Sequence, residues 1–196
     1  MPVRKMLALR AAAVLTAAIL MAACTTRGTP PSRMSGMHSM HDVSSEYEFL
    51  AGMIPHHQEA VDTSRTIAAR TVRPELRAFT EGIARDQERE IGMMREWLAR
   101  WYPGRSGKAE YRLMMRPTAG LSPDRADRAW LEDMIMHHRM AVMMADSVLR
   151  GGFSSRPETM ELARTIVEAQ NREIEVMEKW LAEWYGVTAG GMHRMH

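Results

Sequence analysis

The chain has 196 residues, with 26 Lys and Arg against 24 Asp and Glu. That is room for one domain, and the charge is too balanced to suggest electrostatic capture of nucleic acid. One cysteine, Cys24, excludes an intrachain disulfide and a thiolate metal cage, while 20 methionines against three phenylalanines is an unusual way to fill a core.

Residues 1–23 read as an export signal. Arg4, Lys5 and Arg10 precede an uncharged apolar stretch over residues 11–23 that is too short to span a bilayer as a helix. It ends Leu20-Met21-Ala22-Ala23-Cys24, which resembles a bacterial lipoprotein cleavage site, with Met21 where that motif ordinarily has Leu. On this reading Cys24 becomes the lipid-modified N-terminus and the membrane is a partner through that anchor. The mature chain then holds 23 basic and 24 acidic residues. Residues 24–44, rich in Thr, Ser, Gly, Pro and Met, read as a flexible tether.

Four helices follow. The first is expected from the capping signature Ser45-x-x-Glu48 to about Arg70, with Pro55 as a kink inside it. The second starts at Pro74 and stops at Pro103; the third starts after Ser122 and ends at Gly151-Gly152; the fourth runs from Pro157 to Gly186. Residues 103–121 form a longer connection, and residues 187–196 a tail. No stretch alternates like a strand. Trp97, Trp101, Trp180 and Trp184 fall near the ends of the second and fourth helices, where they are expected to plug one end of a bundle.

The helices form a repeat, over about 45–102 and 123–185. Met53-Ile54-Pro55-His56-His57 returns as Met134-Ile135-Met136-His137-His138, offset by 81 residues. Gln87-x-x-Glu90-Ile91-x-x-Met94-x-x-Trp97-Leu98 returns as Gln170-x-x-Glu173-Ile174-x-x-Met177-x-x-Trp180-Leu181, offset by 83. Each repeat is a helical hairpin with one apolar stripe, and two such hairpins bury their stripes against each other. The fold class is therefore all-α, a four-helix bundle over residues 45–186.

Helical spacing puts both histidines of each pair on the inward stripe, together with Gln87, Glu90, Gln170 and Glu173. Four imidazoles, two carboxylates and two amides make a polar belt across an apolar core. Such a belt is either a closed hydrogen-bond network or a metal site, since imidazole is the commonest protein metal ligand and bundles build sites from facing helices.

The chain ends favour metal. Met37-His38, Met40-His41, Met192-His193 and Met195-His196 are four Met-His pairs in segments with no packing role to explain them. Thioether and imidazole without thiolate select Cu(I) first, Cu(II) through the imidazoles, and Ag(I) by analogous softness. Met93, Met94, Met140, Met143 and Met144 extend the same chemistry along the helices, although packing accounts for most helical methionines. The candidate metal residues on the helices are thus His56, His57, His137, His138, Met53, Met134, Glu90, Glu173, Gln87, Gln170, Met94 and Met177.

The combined block Met-Ile-x-His-His-x-x-Ala-Val and Gln-x-x-Glu-Ile-x-x-Met-x-x-Trp-Leu resembles the domain-of-unknown-function 305 family over about residues 45–186. The resemblance implies an exported bacterial protein with a ferritin-like four-helix arrangement, and some members are implicated in copper binding and resistance. It marks His56, His57, His137 and His138 as signature histidines with Glu90 and Glu173 opposite, while Met136 and Met140 depart from the usual family residues. The functional expectation is an envelope protein, in the periplasm or at the cell surface, that buffers copper or passes it to a copper-handling protein. Two alternatives are a dinuclear His/Glu oxidase-type enzyme, weakened because the Glu-x-x-His motif of such helices is missing, and a metal-free structural or adaptor bundle.

Overall fold

The computed structural model describes residues 43–187, all of them helix, turn or irregular, with no strand. The export signal, Cys24, most of the tether and the Met-His pairs at Met37, His38, Met40, His41, Met192, His193, Met195 and His196 lie outside the described residues. Helix α1 spans Glu46–Ala68, α2 Pro74–Trp101, α3 Pro123–Gly151 and α4 Pro157–Tyr185. No helix among the described residues is long and apolar enough to cross a membrane.

The boundaries follow from local chemistry. Ser45 has an extended backbone, and its hydroxyl accepts from Glu48 N. Glu48 turns one residue further back, taking Ser44 N at 3.0 Å and Ser44 Oγ at 2.6 Å, so the cap spans two serines. Prolines occupy the first turns of α2, α3 and α4, where a missing N–H costs nothing. Gly152 and Gly186 end α3 and α4 in the left-handed region, at φ 63° and 65°. Helix α1 runs through Pro55 and stops two residues before Arg70, whose guanidinium donates to Thr118 O and Leu121 O in the connection.

The hairpins α1–α2 and α3–α4 meet through α1 and α3. Their relative direction is set at the ends. Buried Glu46, opening α1, accepts from Ser154 and Thr159, both at 2.7 Å, and pairs with Arg156 around the start of α4. At the other end, Thr71 Oγ1 donates to buried Asp127 at 2.7 Å, and Arg73 reaches Asp124 at 2.8 Å. Helices α1 and α3 are therefore antiparallel, and the two repeats are related by an approximate twofold axis across the middle of the bundle.

That axis corrects one expectation. The tryptophans do not share an end: Trp97 and Trp101 stack with ring centroids 5.2 Å apart where α2 finishes, and Trp180 and Trp184 stack at 4.9 Å where α4 finishes. A twofold axis perpendicular to the helices sends equivalent positions to opposite ends. Each stack carries an arginine 4.7 Å from a ring centre, Arg156 over Trp101 and Arg73 over Trp184.

Apolar burial divides in the same way. One cluster holds Phe49, Leu50, Met53, Met94, Leu98 and Ile166; the other holds Ile67, Leu76, Trp130, Met134, Met177 and Leu181. Equivalent methionines of the two repeats thus fall in different clusters, and the histidines lie between.

Candidate metal centre

All four helical histidines are buried. Adjacent residues on a helix point about 100° apart, so the members of each pair take different partners. His56 and His137 face each other across the twofold axis, with ring centroids 3.7 Å apart and planes inclined by 36°. His57 and His138 turn into their own hairpins: His57 Nε2 is 2.7 Å from Glu90 Oε2, and His138 Nε2 is 2.7 Å from Glu173 Oε2. The carboxylates Glu90 and Glu173 thus stand opposite the second histidine of each pair.

A carboxylate acceptor fixes the proton on Nε2 and leaves the lone pair on Nδ1. In His57, His137 and His138 the Nδ1 atom has no hydrogen-bond partner among the described residues, and in His56 neither ring nitrogen has one. Gln87 lies buried with both amide atoms unpartnered, and Gln170 with its oxygen unpartnered. The belt is therefore not a closed hydrogen-bond network. Buried polar atoms are nearly always satisfied, so these ring nitrogens are open to a further partner, an ordered water or a metal ion.

Burial and the neighbouring imidazoles push the His56 pKa well below its ordinary value, and burial carries His137 down to about 4 against the partial opposition of Glu59. Both rings are neutral at physiological pH, the state in which imidazole binds a metal.

Two residues of the site were not anticipated. Glu59, one turn after His56, is buried, and its Oε2 lies 3.5 Å from His137 Nε2. Tyr111, from the 102–122 connection, donates its hydroxyl to Glu59 and packs edge-on to His56 with centroids 5.9 Å apart. The amides of Met114 and Met115 donate to Glu59 Oε1 at 2.9 and 3.0 Å. Burial acts to raise the Glu59 pKa, but hydrogen bonds from His137, Tyr111 and the Met115 amide outweigh it and hold the carboxyl below its ordinary value. A carboxylate within the apolar stripe of α1, together with the one aromatic residue between Pro103 and Leu121, was the available signal.

The helical methionines divide by environment. Met53, Met94, Met134 and Met177 are fully buried in the apolar clusters. Met140 and Met144 line a cleft of about 750 Å³ that His56 also borders. Met136 and Met143 are each 53% exposed on α3. Among the described residues, no three of His, Cys, Asp and Glu converge on a point that would hold a metal ion.

The domain-of-unknown-function family DUF305 matches residues 46–181 and again 127–196. The chain belongs to the DUF305 family. Among solved structures it is similar to CopM in the Cu(I)-bound form, with 35% identity over 72% of this chain and 99% of that one, at a TM-score of 0.65. The silver-bound form of CopM obtained by co-crystallisation matches with 35% identity over 72% of this chain and 98% of that one, at a TM-score of 0.63. A Streptomyces coelicolor DUF305 protein described as secreted matches with 28% identity over 72% of this chain and 95% of that one, at a TM-score of 0.60. No curated protein matches. These likenesses cover the DUF305 bundle that carries the histidines.

Proposed function

We propose that this DUF305 protein binds copper outside the cytoplasm, with silver as a chemical analogue, and buffers the ion or hands it to a copper-handling partner. The observation that carries this reading is the likeness to CopM, which has been crystallised with Cu(I), Cu(II) and silver. The site chemistry agrees with it: neutral buried imidazoles with free lone pairs, thioethers beside them, and no thiol in the described bundle. Thioether binds without releasing a proton and forms no disulfide, which suits an oxidising envelope.

The secreted relative and the leader-like residues 1–23 support export, and the leader's ending supports attachment to the membrane through Cys24. The Met-His pairs at 37–41 and 192–196 act as collectors of low affinity that add capacity to the ordered bundle. The full mature chain is dialysed against cuprous, cupric and silver salts and the retained metal counted by elemental analysis. Retention of copper and silver is expected. Replacing Met37, His38, Met40, His41, Met192, His193, Met195 and His196 should lower the count with no change in thermal midpoint. A mature chain that retains none of the three ions refutes the proposal.

A further inference from the structure

Residues 103–121 cross from α2 to α3 as a strap over α1 and α3, and the strap is held unevenly along its length. From Tyr111 onwards it is tied to the helices. Glu59 takes the Tyr111 hydroxyl and the amides of Met114 and Met115. Asp133 takes Arg116 N at 2.8 Å and Arg116 Nε at 2.9 Å, and Arg70 donates to Thr118 O and Leu121 O.

Ahead of Tyr111 the holding is looser. There the hydrogen bonds among the described residues stay within the segment, Arg105 N to Tyr102 O at 3.2 Å and Lys108 N to Ser106 Oγ at 3.3 Å. The Arg105 guanidinium lies over the Tyr47 ring, 3.3 Å from its centre. Two glycines at positive φ interrupt this half, Gly104 at 86° and Gly107 at 62°, where the backbone turns without a side chain to pack. Beneath residues 108–112 lies the cleft of about 750 Å³, which His56 borders.

Tyr111 stands at the junction of the two halves and covers the histidines that meet on the twofold axis. Its ring is edge-on to His56, and its hydroxyl lies 3.4 Å from His137 Nε2. His56 is 1% exposed and His137 0%. We infer that residues 103–111 are a hinged flap that opens over the His56–His137 pair, with the Tyr111 hydroxyl on Glu59 as its latch. Gly104 and Gly107 supply the hinge at one end, and the Met114 and Met115 amides on Glu59 hold the other. On the metal-binding reading above, the flap admits a soft cation to these imidazoles; metal retention on dialysis tests that reading separately, and the flap does not depend on it.

The test treats the full mature chain with diethyl pyrocarbonate at pH 7 and follows acylation of each histidine by peptide mass spectrometry. A buried imidazole reacts in proportion to the population of the opened form. His56 and His137 are expected to react together and ahead of His57 and His138, which turn into their own hairpins against Glu90 and Glu173. Tyr111→Phe keeps the ring and removes the latch, while the two amides stay on Glu59. Losing one hydrogen bond to a charged acceptor should speed acylation of His56 and His137 about tenfold and leave His57 and His138 unchanged. Tyr185→Phe, which removes a hydroxyl bonded to Asp124 O at 3.0 Å, is the control and should change none of the four. Unchanged rates at His56 and His137 in Tyr111→Phe overturn the flap, and so does an equal rise at all four histidines, which is general loosening. If Tyr111→Phe does not fold by circular dichroism, the unsubstituted chain decides: equal rates at all four histidines overturn the flap, and earlier reaction of His56 and His137 supports it.

Discussion

Glu59 is the anchor on which the connection depends, and Glu59→Ala removes it. Three donors of the connection converge on this carboxylate: the Tyr111 hydroxyl and the amides of Met114 and Met115 at 2.9 and 3.0 Å. Hydrogen bonds to a charged acceptor are each worth about 1.5–3 kcal/mol when broken with the partner left buried. Three full losses would not be realised, because the freed segment swings into water and its donors find new partners. The cost is then capped by undocking, and we expect about 3 kcal/mol in urea denaturation. Glu59→Gln keeps one accepting oxygen and should lose about half as much. Met140→Ala, at the equivalent half-buried position, should cost about 1 kcal/mol. Amide exchange separates the cases, since Met114 and Met115 lose protection in Glu59→Ala and keep it in Met140→Ala. A Glu59→Ala protein within 0.5 kcal/mol of the parent, with those amides still protected, would refute this account of the strap.

Three further outcomes follow from the same geometry. The folded His137 resists protonation until about pH 4, whereas an unfolded histidine takes a proton near 6.5. Its stabilising neutral state is thus fully present above pH 6.5 and declines towards pH 4, by up to roughly 3 kcal/mol at 1.36 kcal/mol per unit; a flat urea midpoint from pH 7 to 4.5 would contradict this. Asp127→Ala should cost about 2–3 kcal/mol by leaving Thr71 and Arg73 without their buried acceptor, and Asp127→Asn less, read as the shift in denaturation free energy. Gly186→Ala places a side chain at φ 65° and should lower stability by about 1 kcal/mol, measured the same way.

Much of the fold was legible because its boundaries are covalent. Proline fixes the first turn of three helices and glycine the end of two, so Pro74, Pro123, Pro157, Gly152 and Gly186 mark element ends with no knowledge of packing. The inward placement of the histidines followed from the 3.6-residue period. What periodicity could not supply was the relation between hairpins. The same stripes can pack with α1 and α3 parallel or antiparallel, and only contacts such as Glu46 with Arg156 select the second. For that reason the tryptophan stacks were placed at one end rather than at both. The division of labour within each histidine pair depended on the same choice, since only an antiparallel meeting brings His56 onto His137. Glu59 and Tyr111 were missed because their partnership spans 52 residues through an irregular segment, where no spacing rule operates.

The direction of the helices also fixes where the polypeptide enters and leaves the bundle. Residue 43 enters beside the start of α4, and residue 187 departs from that helix's far end, beside Asp124. Twenty-nine helical residues separate the two points by roughly 43 Å at 1.5 Å per residue. The described chain therefore enters and leaves the bundle at opposite poles.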